Sequence, residues 1–135
     1  MSTISIIGSG GMATAVAGRI ARAGHTVEVV SRDPGSSGAQ EIAKVAPATA
    51  HVVKAFNTLF GHVLAKGERL DAFIAADDVD AKARVSTFLE SLGLRPLDVG
   101  GLQMAQSLEW LGLMMIGLAK NGAGTWDIAM NVDIG

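Results

Sequence analysis

Residues 6–15 have the sequence IIGSGGMATA, a glycine cluster that overlaps the end of a β-branched run, TISII, at residues 3–7. A β-branched run ended by glycine predicts a buried strand. Apolar residues then recur every fourth position over residues 12–23, which predicts a helix, and TVEVVS at residues 26–31 predicts a second strand. The glycines therefore lie inside one predicted β-α-β unit, which indicates an α/β fold with a parallel sheet.

The glycine cluster fits the pattern G-x-G-x-x-A, a dinucleotide-binding fingerprint when it joins a strand to a helix. Gly8 permits the tight turn, Gly10 lets the backbone approach a pyrophosphate, and Ala13 keeps the helix close to the strand. Free amides and the helix dipole favour an anion there. A purely structural turn is the alternative. We predict that the cluster binds phosphate through Gly8, Ser9, Gly10, Gly11 and Met12.

The end of the second predicted strand distinguishes between two dinucleotides. An NAD site usually has an acidic residue there, which accepts a hydrogen bond from the ribose 2′-hydroxyl. This chain has Ser31 and Arg32, a hydroxyl and a guanidinium that suit a 2′-phosphate. The alternative is that Arg32 is merely solvated and that Asp33 caps the following loop. We predict NADP(H) rather than NAD(H).

Composition excludes several other classes. With 135 residues the chain is long enough for one domain with a single core. Its net charge is −2 with both signs spread along the chain, so neither nucleic acid nor a membrane surface is an expected partner. The apolar run at residues 110–119 is about half of the ~20 residues that a membrane span needs. We therefore expect a cytoplasmic protein. Because the sequence has no cysteine, disulfides and thiolate metal sites are excluded.

The predicted domain, residues 1–135, divides into three parts. Residues 1–33 form the phosphate-binding β-α-β unit, residues 34–50 a Pro/Gly/Ser loop and a short helix, and residues 51–135 the remaining sheet and a C-terminal helix. The fold class is a Rossmann-like parallel sheet flanked by helices, shortened, with a long C-terminal helix.

The third part alternates strand and helix patterns. Further strands are predicted at residues 51–56, 70–76, 94–99 and 125–134. A loop with a helical turn is predicted between the first two. A helix capped by Asp77 or Asp78 extends to Leu92. The longest helix, residues 102–120, is apolar around much of its circumference and is predicted to be buried on more than one side.

Few side chains outside the glycine cluster indicate chemistry. Asn57 and Thr58 follow a predicted strand, so we place them at the carboxyl edge of the sheet, where ligands bind in such folds; a simple turn is the alternative. The histidines lack metal-ligand spacing, and no nucleophile elbow is present. No metal site and no specific catalytic residue are predicted.

At this level of detail the chain resembles a known family, the NADPH-dependent reductases of the deazaflavin coenzyme F-420. The resemblance rests on ISIIGSGGMA and GHTVEVVSRDP near the N-terminus, on HVVKAFNT, and on LGLRPLDVGGLQMAQSLEWLGLMMIGLA. It implies hydride transfer between the nicotinamide of NADP(H) and a deazaflavin or flavin-type acceptor, with coenzyme F-420 or a flavin as second substrate. It also implies that Asn57 lies near the nicotinamide and that Gly101 and Leu102 lie near the acceptor ring.

The chain departs from this family after Pro34. Members continue from the SRDP turn through further strands and helices, whereas here SRDP passes directly to GSSGAQEIAK. Roughly two β-α-β units, at about 30 residues each, are missing by this comparison. Exposed sheet edges and apolar helix faces would then be covered by a second copy, so a homodimer is expected. The alternative function is a non-catalytic nucleotide-binding or oligomerising remnant of the family.

Overall fold

The structure is a computed structural model that describes residues 4–7, 19, 27–30, 43, 48 and 50–135. Strand β1 (Ile4–Ile7) and strand β2 (Val27–Val30) pair in parallel, with Ile4 opposite Val27. Both strands were predicted from their β-branched runs, and their parallel pairing is confirmed. Two adjacent parallel strands need a crossover connection, and the chain between them is the stretch that carries the glycine cluster.

A second parallel pair lies in the C-terminal part of the chain. Strand β3 (Asp71–Ile74) pairs with strand β4 (Arg95–Asp98), which confirms the strands predicted at 70–76 and 94–99. In the part of the chain that the structure describes, β4 pairs with β3 alone, so its other edge is open. An edge strand tolerates Pro96, because proline has no backbone N–H to donate to a further strand. Among the described residues, no ladder joins the two strand pairs.

The helix between β3 and β4 begins and ends as its sequence predicts. Helix α2 (Val79–Ser91), named after the short helix α1 (Gly61–Ala65), has Asp78 as its N-cap. Asp78 Oδ1 accepts a hydrogen bond of 2.7 Å from the backbone N–H of Ala81. The chain leaves the helix at Gly93, whose φ of +78° lies in the left-handed region that glycine adopts without strain.

Alternate residues of β3 face two separate layers of helix. Ala72 and Ile74 belong to the main core, which α1 and α2 cover, whereas Phe73, together with Ala75 just after the strand, packs with Leu108 of the C-terminal helix. All four strand side chains are buried, as expected for a strand covered on both faces. The main core also contains Leu59, Val63, Leu64, Leu70, Phe88, Leu89, Leu92 and Leu94. This arrangement confirms the α/β fold.

The C-terminal helical segment is continuous but not uniform. A 3₁₀ turn (Leu102–Met104) leads into helix α3 (Ala105–Gly117), which ends in a π-helical turn (Leu118–Gly122). The prediction of one long helix is confirmed. The prediction that it is buried on more than one side is wrong for the single chain, because large apolar side chains lie exposed on it: Trp110, Leu113, Met114 and Leu118.

Two predicted strands are absent from the described residues. Residues 51–56 form only one isolated antiparallel bridge, between Lys54 and Ala75. Phe56 has a φ of +64°, an unusual value for an aromatic residue, so the extended chain ends there. The stretch at 125–134 also forms no strand, and it is attached through side chains instead of a ladder.

An ion pair between buried Asp71 and partly exposed Arg95 lies at the amino end of β3 and β4. The carboxylate of Asp71 receives Arg95 Nε on Oδ1 and Nη2 on Oδ2, both at 2.6 Å, and also the backbone N–H of Val132. Asn131 Oδ1 accepts from the backbone N–H of Asp71. The hydrogen bonds from Arg95 are the main cause that lowers the pKa of Asp71 below its usual range. These bonds attach the C-terminal tail to the strand pair.

Arg19, the one described residue of the predicted first helix, reaches the same end of the strands. Its guanidinium is buried and donates to the backbone carbonyls of Leu64, Glu68 and Leu92 at 2.7 to 2.9 Å. Leu64 and Leu92 lie at the C-terminal ends of α1 and α2, where carbonyls lack partners within the helix and a cation is favoured. Arg19 therefore links its own part of the chain to the C-terminal ends of both helices of the main core.

Candidate functional site

An open cavity of about 430 Å³ lies between α3 and the loop at residues 57–60. Its volume is within the range of small-molecule sites. The lining is mostly apolar, with one charged side chain. The loop contributes Asn57, Thr58 and Phe60, and the helix contributes Glu109, Gly112, Leu113, Met115 and Ile116.

The loop approaches the helix very closely at Asn57. Asn57 Nδ2 donates to the backbone carbonyl of Leu108. A Cβ on Gly112 would lie 2.6 Å from Asn57 Nδ2 and 2.9 Å from the Asn57 carbonyl oxygen, closer than real Cβ atoms approach. The left-handed backbone of Phe56 turns the chain into this contact. Residue 112 must therefore be glycine for the loop and α3 to approach each other this closely.

The charged wall of the cavity is an ion pair. Glu109 lines the cavity, and Lys54 Nζ lies 3.4 Å from its Oε1. That separation is longer than the 2.7–2.9 Å of a strong charge-assisted hydrogen bond. The Lys54 side chain is 20% exposed and that of Glu109 39% exposed, so the carboxylate is the more accessible partner.

Aromatic contacts hold the outer side of the cavity. Phe60 stacks on His62 with a centroid distance of 6.0 Å and meets Trp126 edge-on at 5.6 Å. His62 Nε2 lies 2.9 Å from the backbone carbonyl oxygen of Trp126. The tail and α1 together therefore fix the ring of Phe60, which forms part of the cavity wall.

A surface ion pair between Lys66 and Asp127 supports the same tail contact. The hydrogen bond from Lys66 holds the pKa of Asp127 below its usual range. Both side chains are largely exposed, so the pair orients the tail more than it stabilises the fold.

The carboxyl end of β3 and β4 carries tight turns. Asp77 Oδ1 accepts a 2.8 Å hydrogen bond from the backbone N–H of Leu102, at the start of the long helical segment. A Cβ on Gly101 would come within 2.9 Å of the same oxygen. Of the two aspartates predicted as caps, Asp78 therefore caps α2 and Asp77 caps the next helical segment.

Asp98 and Lys82 fasten the neighbouring turn. Lys82 Nζ donates to Asp98 Oδ1 at 2.9 Å and to the carbonyl of Gly100 at 2.8 Å. The lysine hydrogen bond, together with one from the Gly100 N–H, lowers the pKa of Asp98. Every polar group named here is engaged in holding the turn.

Most of the predicted site lies outside the described residues. These positions are Gly8, Ser9, Gly10, Gly11, Met12, Ser31 and Arg32. Asn57 lines the cavity, and its predicted position at the carboxyl edge of the sheet stays a prediction. Gly101 and Leu102 lie at the turn into the long helical segment and do not line the cavity.

Sequence reasoning missed Glu109, Lys54 and Gly112. A glycine inside a helix costs about 1 kcal/mol relative to alanine, so Gly112 was a signal that another backbone approaches. Glu109 in a helical pattern resembles an ordinary solvent-facing residue.

The described residues contain no cluster of three or more potential metal ligands. His51 Nδ1 lies 3.5 Å from the Asp78 carboxylate, which makes only two such groups. None of the described helices has the length and apolarity to span a membrane.

Comparison with known proteins identifies a matching family and a curated relative. Residues 3–65 match the family described as NADP oxidoreductase coenzyme F420-dependent. The metalloreductase STEAP3 of Rattus norvegicus is 35% identical over 83 residues, which make up 59% of this chain and 17% of that protein. The chain thus spans about one sixth of this curated relative's length. The resemblance inferred from the sequence motifs is confirmed.

Solved structures show the same fold over nearly the whole chain. A protein of Arthrobacter sp. FB24, provisionally assigned as an F-420-dependent NADP reductase, has a TM-score of 0.74 and 19% identity, covering 99% of this chain and 100% of that one. A hypothetical protein of Sinorhizobium meliloti has a TM-score of 0.65 and 20% identity, covering 98% and 97%. At these identities the likeness concerns the fold.

Proposed function

We propose that this chain, whose residues 3–65 match the coenzyme F420-dependent NADP oxidoreductase family, is an NADP(H)-dependent oxidoreductase. It transfers hydride between the nicotinamide and a deazaflavin or flavin-type acceptor. The nicotinamide supplies the hydride chemistry, and the protein's task is to align two rings and exclude water. No acid or base of the protein is assigned a step in this transfer.

The observation that best supports this proposal is the position of Asn57 on the wall of an apolar cavity. The family resemblance gives Asn57 a place near the nicotinamide, and a flat ring suits a cavity whose lining is mostly apolar. The phosphates would be held by Gly8, Ser9, Gly10, Gly11 and Met12, and the 2′-phosphate by Ser31 and Arg32.

Titration with NADPH and NADH, followed by the fluorescence of Trp110 and Trp126, tests the binding. We expect NADPH to bind more tightly, and Arg32→Ala to weaken NADPH at least tenfold with little change for NADH. The matched control is Arg84→Ala, an exposed arginine on α2. Equal losses for both cofactors would refute the 2′-phosphate role, and absence of NADPH binding by the wild type would refute the function.

The reaction itself is tested by mixing the protein with NADPH and a deazaflavin or a flavin. Loss of the reduced-nicotinamide absorbance is the expected result. Binding of NADPH without oxidation by either acceptor would favour the second candidate, a non-catalytic nucleotide-binding or oligomerising member of the family.

One specific observation favours self-association, which is compatible with either candidate. The exposed apolar side chains of the long helical segment lie at helical spacing and form one stripe: Trp110, Leu113, Met114 and Leu118. We propose that a second copy covers this stripe in a cytoplasmic homodimer. Sedimentation should show a dimer for the wild type and a monomer for Trp110→Ser combined with Leu118→Ser. A wild-type monomer at micromolar concentration would exclude it.

A further inference from the structure

We propose that Glu109 is the residue that selects the ligand of the cavity, by accepting a hydrogen bond from an N–H group on an uncharged, flat heterocyclic ring. This inference rests on the proposed function and adds the ligand chemistry of its site. Two rings of the proposed reaction share that chemistry, the carboxamide of a nicotinamide and the imide of a flavin-type acceptor.

The carboxylate of Glu109 has little of its bonding capacity used within the described part of the protein. Among the contacts of the described residues, it is approached only by Lys54, at 3.4 Å and on Oε1 alone. A carboxylate has about four acceptor positions, so most of them are available to a ligand in the cavity that Glu109 lines. Lys54 offsets part of the charge, which lowers the energetic cost of a carboxylate beside an apolar wall.

Asn57 and Thr58 are the other polar residues of the lining. Asn57 Nδ2 donates one of its two N–H groups to the backbone carbonyl of Leu108, and the Thr58 hydroxyl can donate or accept. Neither side chain is charged, so the strongest polar group that a ligand meets is the Glu109 carboxylate, an acceptor. Phosphates and carboxylates would be repelled by it, whereas a neutral N–H donor would be bound.

The shape of the cavity favours a flat ligand. Phe60, Leu113, Met115 and Ile116 supply apolar surface, and Phe60 is held in place by its contacts with His62 and Trp126. A fixed aromatic ring favours a flat ligand that can stack on it. An apolar cavity with one charged acceptor in its lining therefore fits a neutral heterocycle bearing an N–H group.

The experiment compares pairs of ligands in which a methyl group replaces the N–H hydrogen or the NH₂ group that Glu109 would bind. Calorimetric titration would use NADPH, whose reduced nicotinamide ring is uncharged, against its reduced 3-acetylpyridine analogue, in which a methyl replaces the amide NH₂, and riboflavin against 3-methylriboflavin. Each pair is measured on the wild type, Glu109→Met and Glu109→Gln, with exposed Glu90→Met as control. The two pairs distinguish the two possible rings.

We expect the wild type to prefer the N–H ligand of at least one pair by about tenfold, as one hydrogen bond to a charged group provides. In Glu109→Met that preference should fall to nearly one, and Glu109→Gln, which keeps an acceptor oxygen, should restore part of it. A merely structural role would weaken both ligands of a pair equally. An unchanged preference in Glu109→Met overturns the inference and leaves the proposed function standing. No binding of NADP⁺ or NADPH to the wild type overturns the proposed function itself.

Discussion

Two ion pairs of this protein use the same chemistry for different ends. At the amino end of β3 and β4, the Asp71 side chain is 5% exposed and its oxygens receive Arg95 at 2.6 Å and the tail. Beside the cavity, the Glu109 side chain is 39% exposed and meets Lys54 at 3.4 Å on one oxygen. The first carboxylate has little bonding capacity left, and the second has most of it available.

This difference separates structural from ligand-binding charge. A buried carboxylate must have all its hydrogen bonds made within the protein, because an unmet one is costly. A carboxylate that serves a ligand must keep acceptor positions for it. Removing charge at the amino end should therefore destabilise the fold, whereas removing it beside the cavity should change binding and leave the fold intact.

The largest effect is expected from Arg19→Met. The substitution removes all the hydrogen bonds to the carbonyls of Leu64, Glu68 and Leu92, each worth about 1.5–3 kcal/mol when the donor is charged. We expect the free energy of unfolding, measured by urea denaturation, to fall by at least about 3 kcal/mol. Arg84→Met, on the exposed surface of α2, is the control. Equal stability of Arg19→Met and Arg84→Met would show that the Arg19 hydrogen bonds at the amino end of β3 and β4 do not support the fold.

Next in size is Asp71→Asn. It keeps the shape of the side chain but loses the charge that orders Arg95, and it places an NH₂ where Arg95 and Val132 donate. The expected loss is about 2 kcal/mol of unfolding free energy at pH 7. The control, Asp127→Asn, removes an exposed pair with Lys66 and should leave stability unchanged.

The pH dependence of that loss follows from the lowered pKa of Asp71. A carboxyl group whose pKa is lower in the folded than in the unfolded state makes its full contribution to the free energy of unfolding at pH values above the unfolded pKa, about 3.9. That contribution is lost as the pH falls through the folded-state pKa. The difference between wild type and Asp71→Asn should stay constant from pH 7 to about 5 and shrink below about 4. A difference that grows on acidification would contradict the assigned ion pair.

Local patterns were sufficient to predict the four strands and the boundaries of α2. The predicted strand at 70–76 contains β3, and Asp78 and Gly93 delimit α2 through short-range geometry. The strand predicted at 51–56 failed because Phe56 takes a left-handed conformation where Asn57 meets the long helix, a contact between distant parts of the chain. The tail alternates like a strand, yet its partners are side chains.

The same limit applies to the site. Asn57 could be found from a polar residue after an apolar run, whereas Lys54 and Glu109 lie 55 residues apart and become a pair only in the fold. Arg19 bonds carbonyls 45 to 73 residues away, which no local pattern records. The position of the shortening after Pro34 lies outside the described residues and stays a prediction, as does the cytoplasmic location.

A smaller effect on stability, with a large one on binding, is expected from Gly112→Ala. The new Cβ would meet Asn57 at 2.6 Å and 2.9 Å, so the loop must shift away from α3. We expect a net loss of about 1 kcal/mol, because overpacking outweighs the better helix propensity of alanine. Gly117→Ala on the same helix meets nothing within 4 Å and should be neutral or stabilising. If both variants bind NADPH like the wild type, the cavity is not the nicotinamide site.

The smallest effect on folding is expected from Glu109→Met, the variant that removes the carboxylate beside the cavity. Its ion pair is long and partly exposed, and methionine and glutamate have similar helix propensities, so the free energy of unfolding should change by at most about 0.5 kcal/mol. Urea denaturation measured beside Asp71→Asn gives the contrast directly, since both variants lose one carboxylate that is paired with a cation. A loss as large as that of Asp71→Asn would mean that Glu109 also supports the fold, and the separation between the two ion pairs would fail. A small loss makes Glu109→Met a folded protein whose altered ligand preference reports on the cavity alone.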